Sequence, residues 1–257
     1  MKLKYSIMDP TGNVTALVET AVPVDQQPSV AEKIMSIEAT VEQVGFIADS
    51  EGVDLSLRMA GGEFCGNATM SAAVLYAIRK KKSFGKVKVF SSGVNDAINV
   101  DVKKENGFWQ GTVEMPKAKS IDDFVFPDGR AFPVVRFDGI THVIFSDPVA
   151  KSEAEKLVRC WCALLNAPAL GLMFFEESEN ILTPLVYVPE ADTLFWESSC
   201  GSGLSAVGAY MANKTNRLSK LSPKQPGGTL EIIATPTGEL FLCGNVKLLC
   251  EKEIKLS

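Results

Sequence analysis

The sequence predicts an α+β protein built from two duplicated halves, and three observations support this fold class. The string Cys65–Ala72 (CGNATMSA) matches Cys200–Val207 (CGSGLSAV), which lies 135 residues later (200 − 65). Two capping-box patterns, Ser29–Glu32 and Ser152–Glu155, recur 123 residues apart (152 − 29). Strand-like and helical segments flank the two strings in the same order. Repetition of this kind indicates two copies of one mixed α+β unit.

The first half, residues 1–120, is expected to carry Cys65 behind several short strands. A turn at 9–13 separates the first two strands, and the capping box predicts a helix after Pro28. A second helix follows Cys65 and ends at the basic cluster 79–82, because cations in a last turn complement the carbonyl end of the helix dipole. Strands are expected at Leu3–Met8, Val14–Val18, Val44–Ala48, Leu55–Met59, Lys86–Phe90, Ala97–Val102 and Trp109–Met115.

The second half, residues 121–257, is expected to repeat this plan around Cys200. The capping box at Ser152 predicts a helix that ends near Asn166, and a second helix follows Cys200 to about Asn213. Strands are expected at Val134–Phe137, His142–Phe145, Leu185–Val188, Leu194–Trp196, Thr229–Ala234 and Leu240–Cys243. The last two strands are expected to form a hairpin through a Thr-Gly turn.

The composition excludes several classes of protein. The chain has 26 Lys and Arg against 31 Asp and Glu, a formal net charge of −5, and no basic stripe, so we expect no nucleic-acid partner. No apolar run approaches the roughly 18 residues of a membrane helix, and the N-terminal residues do not resemble a secretory signal. We therefore expect a cytoplasmic protein with reduced thiols and no membrane partner. With one His and no paired Cys-x-x-Cys spacing, we expect no metal site.

The two Cys-Gly strings each stand where a strand ends and a helix begins. The small residues after the cysteine leave the free N–H groups of the first helical turn exposed. Such a helix N-terminus binds anions and lowers a thiol pKa from roughly 8.5 toward neutrality. Two such cysteines in duplicated halves would hold a substrate carboxylate between them, with one thiol on each side of its α-carbon.

That arrangement suits removal of a proton from one face of a carbon and delivery of a proton to the opposite face. A racemase of this kind needs two groups of similar pKa, one starting as thiolate and the other as thiol. The helix N–H groups would stabilise charge on the carboxylate, where loss of one such donor typically costs ~10²–10³ in rate. The chemistry needs no Lys for a pyridoxal Schiff base, and no GxGxxG dinucleotide motif follows a strand, so we expect no cofactor.

The two strings resemble the signatures of the diaminopimelate epimerase-like family of cofactor-independent amino-acid racemases. Cys65-Gly66-Asn67-Ala68 is similar to the family's Cys-Gly-Asn-Gly, and Cys200-Gly201-Ser202-Gly203 to its Cys-Gly-Ser/Thr-Gly. The resemblance covers essentially the whole chain. It implies two pseudo-symmetric halves, each a mixed sheet wrapped around a central helix, with the active site in the cleft between them. It also implies that Cys65 and Cys200 are the catalytic residues, that the substrate is an amino acid bound as a small molecule, and that the protein forms a homodimer.

Within that family, longer strings resemble the histidine racemases of staphylopine-type metallophore pathways. These strings are Glu42–Phe46, Glu63–Ser71, Trp196–Gly203 and Gln225–Gly228. Diaminopimelate epimerases hold the distal end of their substrate with a Glu-Arg-Gly segment before the second Cys, whereas the stretch 192–197 contains no Arg here. A second amino-carboxyl group would lack its charged partner. The resemblance therefore favours racemisation of histidine, with another amino acid such as diaminopimelate as the alternative.

The same resemblance implies a set of substrate contacts. It assigns side-chain contacts to Asn13, Gln43, Asn67 and Ser202, and backbone donors to Gly66 and Gly201. Glu42 would accept a hydrogen bond from an imidazole N–H, or is a solvated loop carboxylate. Glu197 would line the cleft, or favours the following helix terminus through its charge.

Two functions of other classes stay open at this point. A Cys–His hydrolase would use Cys65 or Cys200 with His142, the only His in the chain. It leaves the duplication unexplained, and His142 is also interpreted as a core residue. A binding module would keep the site for an amino acid or an anion without chemistry.

Overall fold

The computed structural model describes residues 2–146 and 149–255, which fold into two compact units. One unit contains the chain up to Glu114 together with the residues from Cys243 onward, and the other contains Met115–Leu242. The C-terminal segment therefore departs from the expected halves, in which everything after residue 120 belonged to the second. It joins the first unit because it pairs antiparallel with the N-terminal strand, from Lys2 opposite Lys255 to Asp9 opposite Lys247.

Eighteen strands and four α-helices form within the described residues. The helices are α1 (Gln27–Ile37), α2 (Gly66–Arg79), α3 (Lys151–Leu164) and α4 (Gly201–Thr215). The first nine strands are β1 (Lys2–Asp9), β2 (Thr15–Val18), β3 (Gln43–Ala48), β4 (Leu55–Met59), β5 (Phe84–Ser91), β6 (Ile98–Glu105), β7 (Phe108–Met115), β8 (Ser120–Val125) and β9 (Ala131–Arg136). The others are β10 (Thr141–Phe145), β11 (Leu170–Glu176), β12 (Ile181–Val188), β13 (Thr193–Trp196), β14 (Ser219–Leu221), β15 (Lys224–Gln225), β16 (Gly228–Thr229), β17 (Glu231–Ala234) and β18 (Leu240–Lys255). None of the helices in this part of the chain is both long and apolar enough to span a membrane.

The first unit is a sheet that closes around helix α2. Its strands belong to a ten-stranded sheet with the hydrogen-bonded order β1-β2-β3-β4-β5-β6-β7-β18-β17-β14, in which β18 also pairs with β1. Helix α2 packs against β2, β4, β5 and β6, and it is buried on every side from Gly66 to Leu75. A helix buried on every side needs apolar or small residues on every side, which this segment supplies. Gly111 on β7 leaves room for Met70, because a Cβ at residue 111 would collide with the Met70 side chain.

The second unit repeats this plan around helix α4. Its sheet has the order β16-β15-β12-β11-β10-β9-β8, with β13 paired to β12, while β14 pairs antiparallel with β17. Helix α4 packs against β8, β9, β10, β11, β14 and β17, so strands surround it as they surround α2. Helix α3 packs against β11 and β12 through an aromatic core, in which Trp161 stacks on Phe126 with ring centroids 3.7 Å apart.

The two helices that were expected to begin with a capping box begin differently. Helix α1 starts at Gln27, with Pro28 in its first turn and no side-chain cap. Proline suits a first turn because it has no N–H to leave unsatisfied and its φ is already helical. Helix α3 starts at Lys151 without a side-chain cap, so Ser152 lies inside the helix. Both capping-box predictions were therefore wrong in detail, although a helix forms at each place.

Some strands were not expected, and their sequences explain why. β8 is an edge strand whose Asp122 and Asp123 face solvent, so it lacks the apolar alternation of a buried strand. β14, β15 and β16 contain two or three residues, which is too short for a pattern. β18 was expected to end at Cys243 but continues to Lys255, because long-range pairing with β1 extends it.

Candidate active site

Cys65 and Cys200 have the same local geometry. Each is the N-cap of a helix and has an extended backbone, with φ −131° and ψ 113° for Cys65 and φ −122° and ψ 104° for Cys200. Each sulfur accepts a hydrogen bond from the backbone N–H three residues later, Ala68 at 3.4 Å and Gly203 at 3.3 Å. In both units, the first turn of a helix therefore donates a backbone hydrogen bond to the thiol that caps it.

The loop before Cys65 is held in place by the residues that follow β5. Ser92 Oγ donates to the Glu63 carbonyl at 2.6 Å and accepts from the Met59 N–H at 3.0 Å. Gly93 has φ +75° and lies against the loop, where a Cβ would be 2.7 Å from the Glu63 carbonyl carbon. These contacts fix the approach of the chain to Cys65, which is half-buried.

Cys200 is buried more deeply, with 5% of its surface exposed. Its backbone N–H donates to Gln225 Oε1 at 2.8 Å, and its sulfur lies 3.5 Å from Ser202 Oγ. Gly203 is closely packed, because a Cβ there would collide with Met173 Sδ and lie 3.1 Å from the Cys200 sulfur. The matching position in the first unit is Ala68. The two Cys-Gly strings therefore differ at a position where the packing next to the cysteine differs between the two units.

The pKa of the Cys200 thiol is raised well above its ordinary value, which corrects the expectation of a lowered pKa. Burial is the main cause, because it penalises the charged thiolate. The Glu197 carboxylate adds to the effect by its negative charge and by accepting a hydrogen bond from the thiol. Ser202 and the Gly203 N–H act in the opposite direction, but they are outweighed. Cys200 is therefore a thiol at neutral pH.

His142 is fully buried on β10, and its Nε2 lies 3.1 Å from Ser202 Oγ. Burial lowers the pKa of the imidazole to about 3, so the ring is neutral at physiological pH. The imidazole Nε2 is hydrogen-bonded to the Ser202 hydroxyl rather than to the Cys200 sulfur. This arrangement agrees with the interpretation of His142 as a core residue, and it does not favour a hydrolase in which His142 takes a proton directly from Cys200.

Three of the expected substrate contacts form one hydrogen-bonded group in the first unit. Asn13 Nδ2 donates to Glu42 Oε2 at 3.0 Å, and Gln43 Nε2 donates to Asn13 Oδ1. Gln43 Nε2 also donates to Thr15 Oγ1 at 2.8 Å. The parallel pairing of β2 with β3 creates this group because it sets Thr15 opposite Gln43. Asn13 is 7% exposed and Glu42 is exposed, so buried amides orient a carboxylate at the surface.

The other expected residues lie at the two helix N-termini. Gly66 and Asn67 begin α2 next to Cys65, and Gly201 and Ser202 begin α4 next to Cys200. Glu197 follows β13 and is half-buried beside the Cys200 thiol. The structure thus forms three groups: Gly66 and Asn67 with Cys65; Glu197, Gly201 and Ser202 with Cys200; and the Asn13–Glu42–Gln43 group.

Gln225 belongs to the surroundings of Cys200, although the sequence assigned it no role. It is buried on β15 and receives the Cys200 N–H. In the sequence, Gln225–Gly228 is only one of the strings that carry the resemblance. Parallel pairing of β15 with β12 brings Gln225 to a residue 25 positions earlier in the chain, and no local pattern predicts that contact.

A surface groove of about 700 Å³ in the first unit contains neither cysteine. Its lining includes Lys82, Lys104, Phe108 and Leu249. Within 2–146 and 149–255, no group of three or more His, Cys, Asp or Glu side chains is arranged to hold a metal ion.

Comparisons with known proteins cover nearly the whole chain. A family model described as the histidine racemase CntK N-terminal domain matches residues 2–249. A histidine racemase from Fusobacterium nucleatum subsp. nucleatum is 34% identical, and the match covers 98% of this chain and 96% of that protein. A histidine racemase from Staphylococcus aureus is 30% identical, with coverage of 95% and 93%.

Solved structures show the same fold in other isomerases. A hydroxyproline epimerase from Agrobacterium vitis superposes with a TM-score of 0.71 over 99% of this chain and 93% of that one, at 9% sequence identity. At that identity the similarity concerns the fold alone. The fold is a mixed α+β architecture with two sheets and few helices.

Proposed function

This chain belongs to the histidine racemase family, and we propose that it interconverts L- and D-histidine with Cys65 and Cys200 as the acid–base pair. One observation carries the mechanistic part of the proposal. Both cysteines are N-caps with the same backbone conformation and the same N–H···S hydrogen bond. A single nucleophile needs no such pair, whereas inversion at a carbon needs one proton acceptor and one proton donor.

The reaction moves one proton off the α-carbon and another onto it. One cysteine acts as thiolate and takes the α-proton, and the electron pair of the broken C–H bond stays on the substrate as a carbanion. The other cysteine acts as thiol and gives its proton to the opposite face. The two cysteines then have exchanged protonation states, ready for the opposite enantiomer. Because Cys200 is a thiol at neutral pH, we assign it as the proton donor in the first turnover.

The helix N-termini supply the electrostatic part of the catalysis. Removal of the α-proton places negative charge on the substrate carboxylate, and the first-turn N–H groups of α2 and α4 are suited to stabilise it. Gly66 and Gly201 are the first residues of these helices and have no side chain to obstruct a ligand. In this scheme protons pass only between sulfur and carbon, so the reaction uses no cofactor.

Recognition of the imidazole is assigned to Glu42. Its carboxylate is exposed, and the buried Asn13 amide donates to one of its oxygens, so its direction is fixed. A carboxylate offers about four lone-pair sites, which allows it to accept an imidazole N–H as well. Gln43 holds Asn13 in place and thereby supports the same contact.

The finer fold type is also part of the proposal. In each unit, strands surround a central helix whose N-cap is a cysteine, namely α2 in the first unit and α4 in the second. This is the arrangement that the resemblance to diaminopimelate epimerases implies, and we propose that the chain has that fold.

The test is to incubate the protein with L-histidine in D₂O without pyridoxal phosphate. Chiral chromatography should show D-histidine, and ¹H NMR should show loss of the α-proton signal. Cys65→Ser and Cys200→Ser should each lower the rate of inversion by at least ~100-fold. Cys160→Ser is the matched control, because Cys160 is exposed on α3, and it should retain full activity.

Two outcomes would overturn parts of the proposal separately. Undiminished inversion in either active-site Ser variant would eliminate the two-thiol mechanism. Inversion of diaminopimelate but not of histidine, in a panel of L-amino acids and diaminopimelate, would eliminate the substrate assignment while leaving the mechanism intact.

A further inference from the structure

A short chain of polar side chains runs from the core of the second unit to the Cys200 sulfur. His142 Nε2 lies 3.1 Å from Ser202 Oγ, and Ser202 Oγ lies 3.5 Å from Cys200 Sγ. The imidazole at the start of this chain is completely buried. It is the only His of the protein, and the proposed proton transfer does not use it.

The tautomer of His142 follows from its other nitrogen. Nδ1 is buried and has no hydrogen-bond partner among the described residues. A neutral imidazole carries one N–H, and a buried N–H without an acceptor is rarer in native structures than an unused lone pair. The hydrogen therefore belongs on Nε2, which donates to Ser202 Oγ.

Donation by His142 decides the direction of the Ser202 hydroxyl. One lone pair of Ser202 Oγ is occupied, so its own hydrogen is available to point at Cys200 Sγ. The thiol hydrogen of Cys200 is directed to the Glu197 carboxylate, which leaves the sulfur lone pairs to accept. The Gly203 N–H donates to the same sulfur at 3.3 Å, so the two donors act together.

The imidazole ring is held in one position by the residues around it. Gly171 lies opposite His142 in the parallel pairing of β10 with β11. A Cβ at Gly171 would collide with His142 Nδ1 and lie 2.9 Å from its Cε1. The Phe137 ring meets the imidazole edge-on, with centroids 6.1 Å apart. Gly171 and Phe137 therefore pack against the ring that is hydrogen-bonded to Ser202.

We infer that His142 is a positioning residue, which fixes the Ser202 hydroxyl as a donor to Cys200 and stabilises the Cys200 thiolate during turnover. The inference rests on the proposed function, in which Cys200 is a thiolate after each proton it gives. That thiolate forms beside the charged group Glu197, in a buried place. Two hydrogen-bond donors, the Ser202 hydroxyl and the Gly203 N–H, offset the repulsion between the Cys200 thiolate and the Glu197 carboxylate.

The test measures the ionisation of Cys200 directly, independently of racemisation. In a Cys65→Ser background, the rate of alkylation of Cys200 by iodoacetamide is followed against pH by mass spectrometry of its peptide. His142→Asn should move the Cys200 profile upward by roughly one pH unit, because a hydrogen bond to a charged group changes the thiolate population roughly tenfold. His142→Gln should leave the Cys200 profile close to that of the protein with His142 intact, since the glutamine amide nitrogen reaches the position of Nε2. Circular dichroism confirms that each variant is folded.

A double-mutant cycle separates action through Ser202 from a general effect of the core. Ser202→Ala should give a similar shift, and His142→Asn should add little in that background. An equally large effect of His142→Asn with and without Ser202 would overturn the inference, as would an unchanged Cys200 profile in His142→Asn. Failure of histidine racemisation in the unmutated protein would refute the proposed function and leave this ionisation measurement valid.

Discussion

Acidification should destabilise this protein through His142, and the size of the effect follows from its burial. The imidazole has a pKa of about 3 in the folded protein and roughly 6.5 in an unfolded chain. Between these values the unfolded chain holds a proton that the folded protein does not. The contribution of neutral His142 to the free energy of unfolding is therefore fully present above pH 6.5. Below pH 6.5 this contribution falls by about 1.4 kcal/mol per pH unit. The loss from pH 7 to pH 4.5 is about 2.5 kcal/mol from this one side chain.

The assay compares urea unfolding of the unmutated protein and of His142→Gln at pH 7 and pH 4.5. Carboxyls with a lowered pKa, such as Glu38 beside Lys252 and Tyr5, also lose stabilisation in acid, but they are common to both proteins and cancel. Glutamine does not titrate in this range, so the stability difference between the two proteins should change by about 2.5 kcal/mol in favour of the variant on acidification. A constant difference across this range would refute the reasoning, because it would mean that the folded protein admits a proton to His142.

Three further predictions concern the surroundings of Cys200. Glu197→Gln should lower the pKa of Cys200, because it removes a negative charge next to the thiol, so alkylation of Cys200 at pH 7.5 should be faster. An unchanged alkylation rate would mean that the Glu197 carboxylate does not act on the Cys200 thiol. Gly203→Ala should destabilise the protein by ~1–3 kcal/mol through overpacking, whereas the matched Ala68→Gly should cost about 1 kcal/mol or less in thermal denaturation. Gln225→Leu should cost ~1–3 kcal/mol in urea unfolding, because the Cys200 N–H loses its acceptor, and a neutral result would indicate a replacement partner.

The two helix starts were predictable because their cause is local. At both places a cysteine at the end of an extended segment is followed by small residues, and it caps the helix that follows. The place of β18 was not predictable in the same way. Its sequence resembles any amphipathic strand, and only its long-range pairing with β1 and β7 assigns most of it to the first unit.

The chemistry at Cys200 shows the limit of local reasoning most clearly. The sequence placed the thiol at a helix N-terminus, and the N–H of Gly203 does lower its pKa as expected. The sign of the whole shift is nevertheless opposite, because strands distant in the chain bury the sulfur and because Glu197 lies beside it. Gln225 was missed for a similar reason, since its contact with Cys200 depends on the pairing of β15 with β12.

The unequal surroundings of the two cysteines matter for a racemase in a specific way. L- and D-histidine have the same free energy in water, so kcat/KM must be equal in the two directions whatever the enzyme does. Cys65 is half-buried, whereas Cys200 is buried beside Glu197, so the two protonation forms of the free enzyme differ in energy. If these thiols are the acid and base, the two enantiomers bind to different protonation forms of the enzyme, so KM and kcat can each differ between the two directions while their ratio stays the same. Two groups donate hydrogen bonds to the Cys200 sulfur, the Ser202 hydroxyl and the Gly203 N–H, and they bring the two forms closer in energy. The buried imidazole of His142 contributes to this effect because it directs the Ser202 hydroxyl.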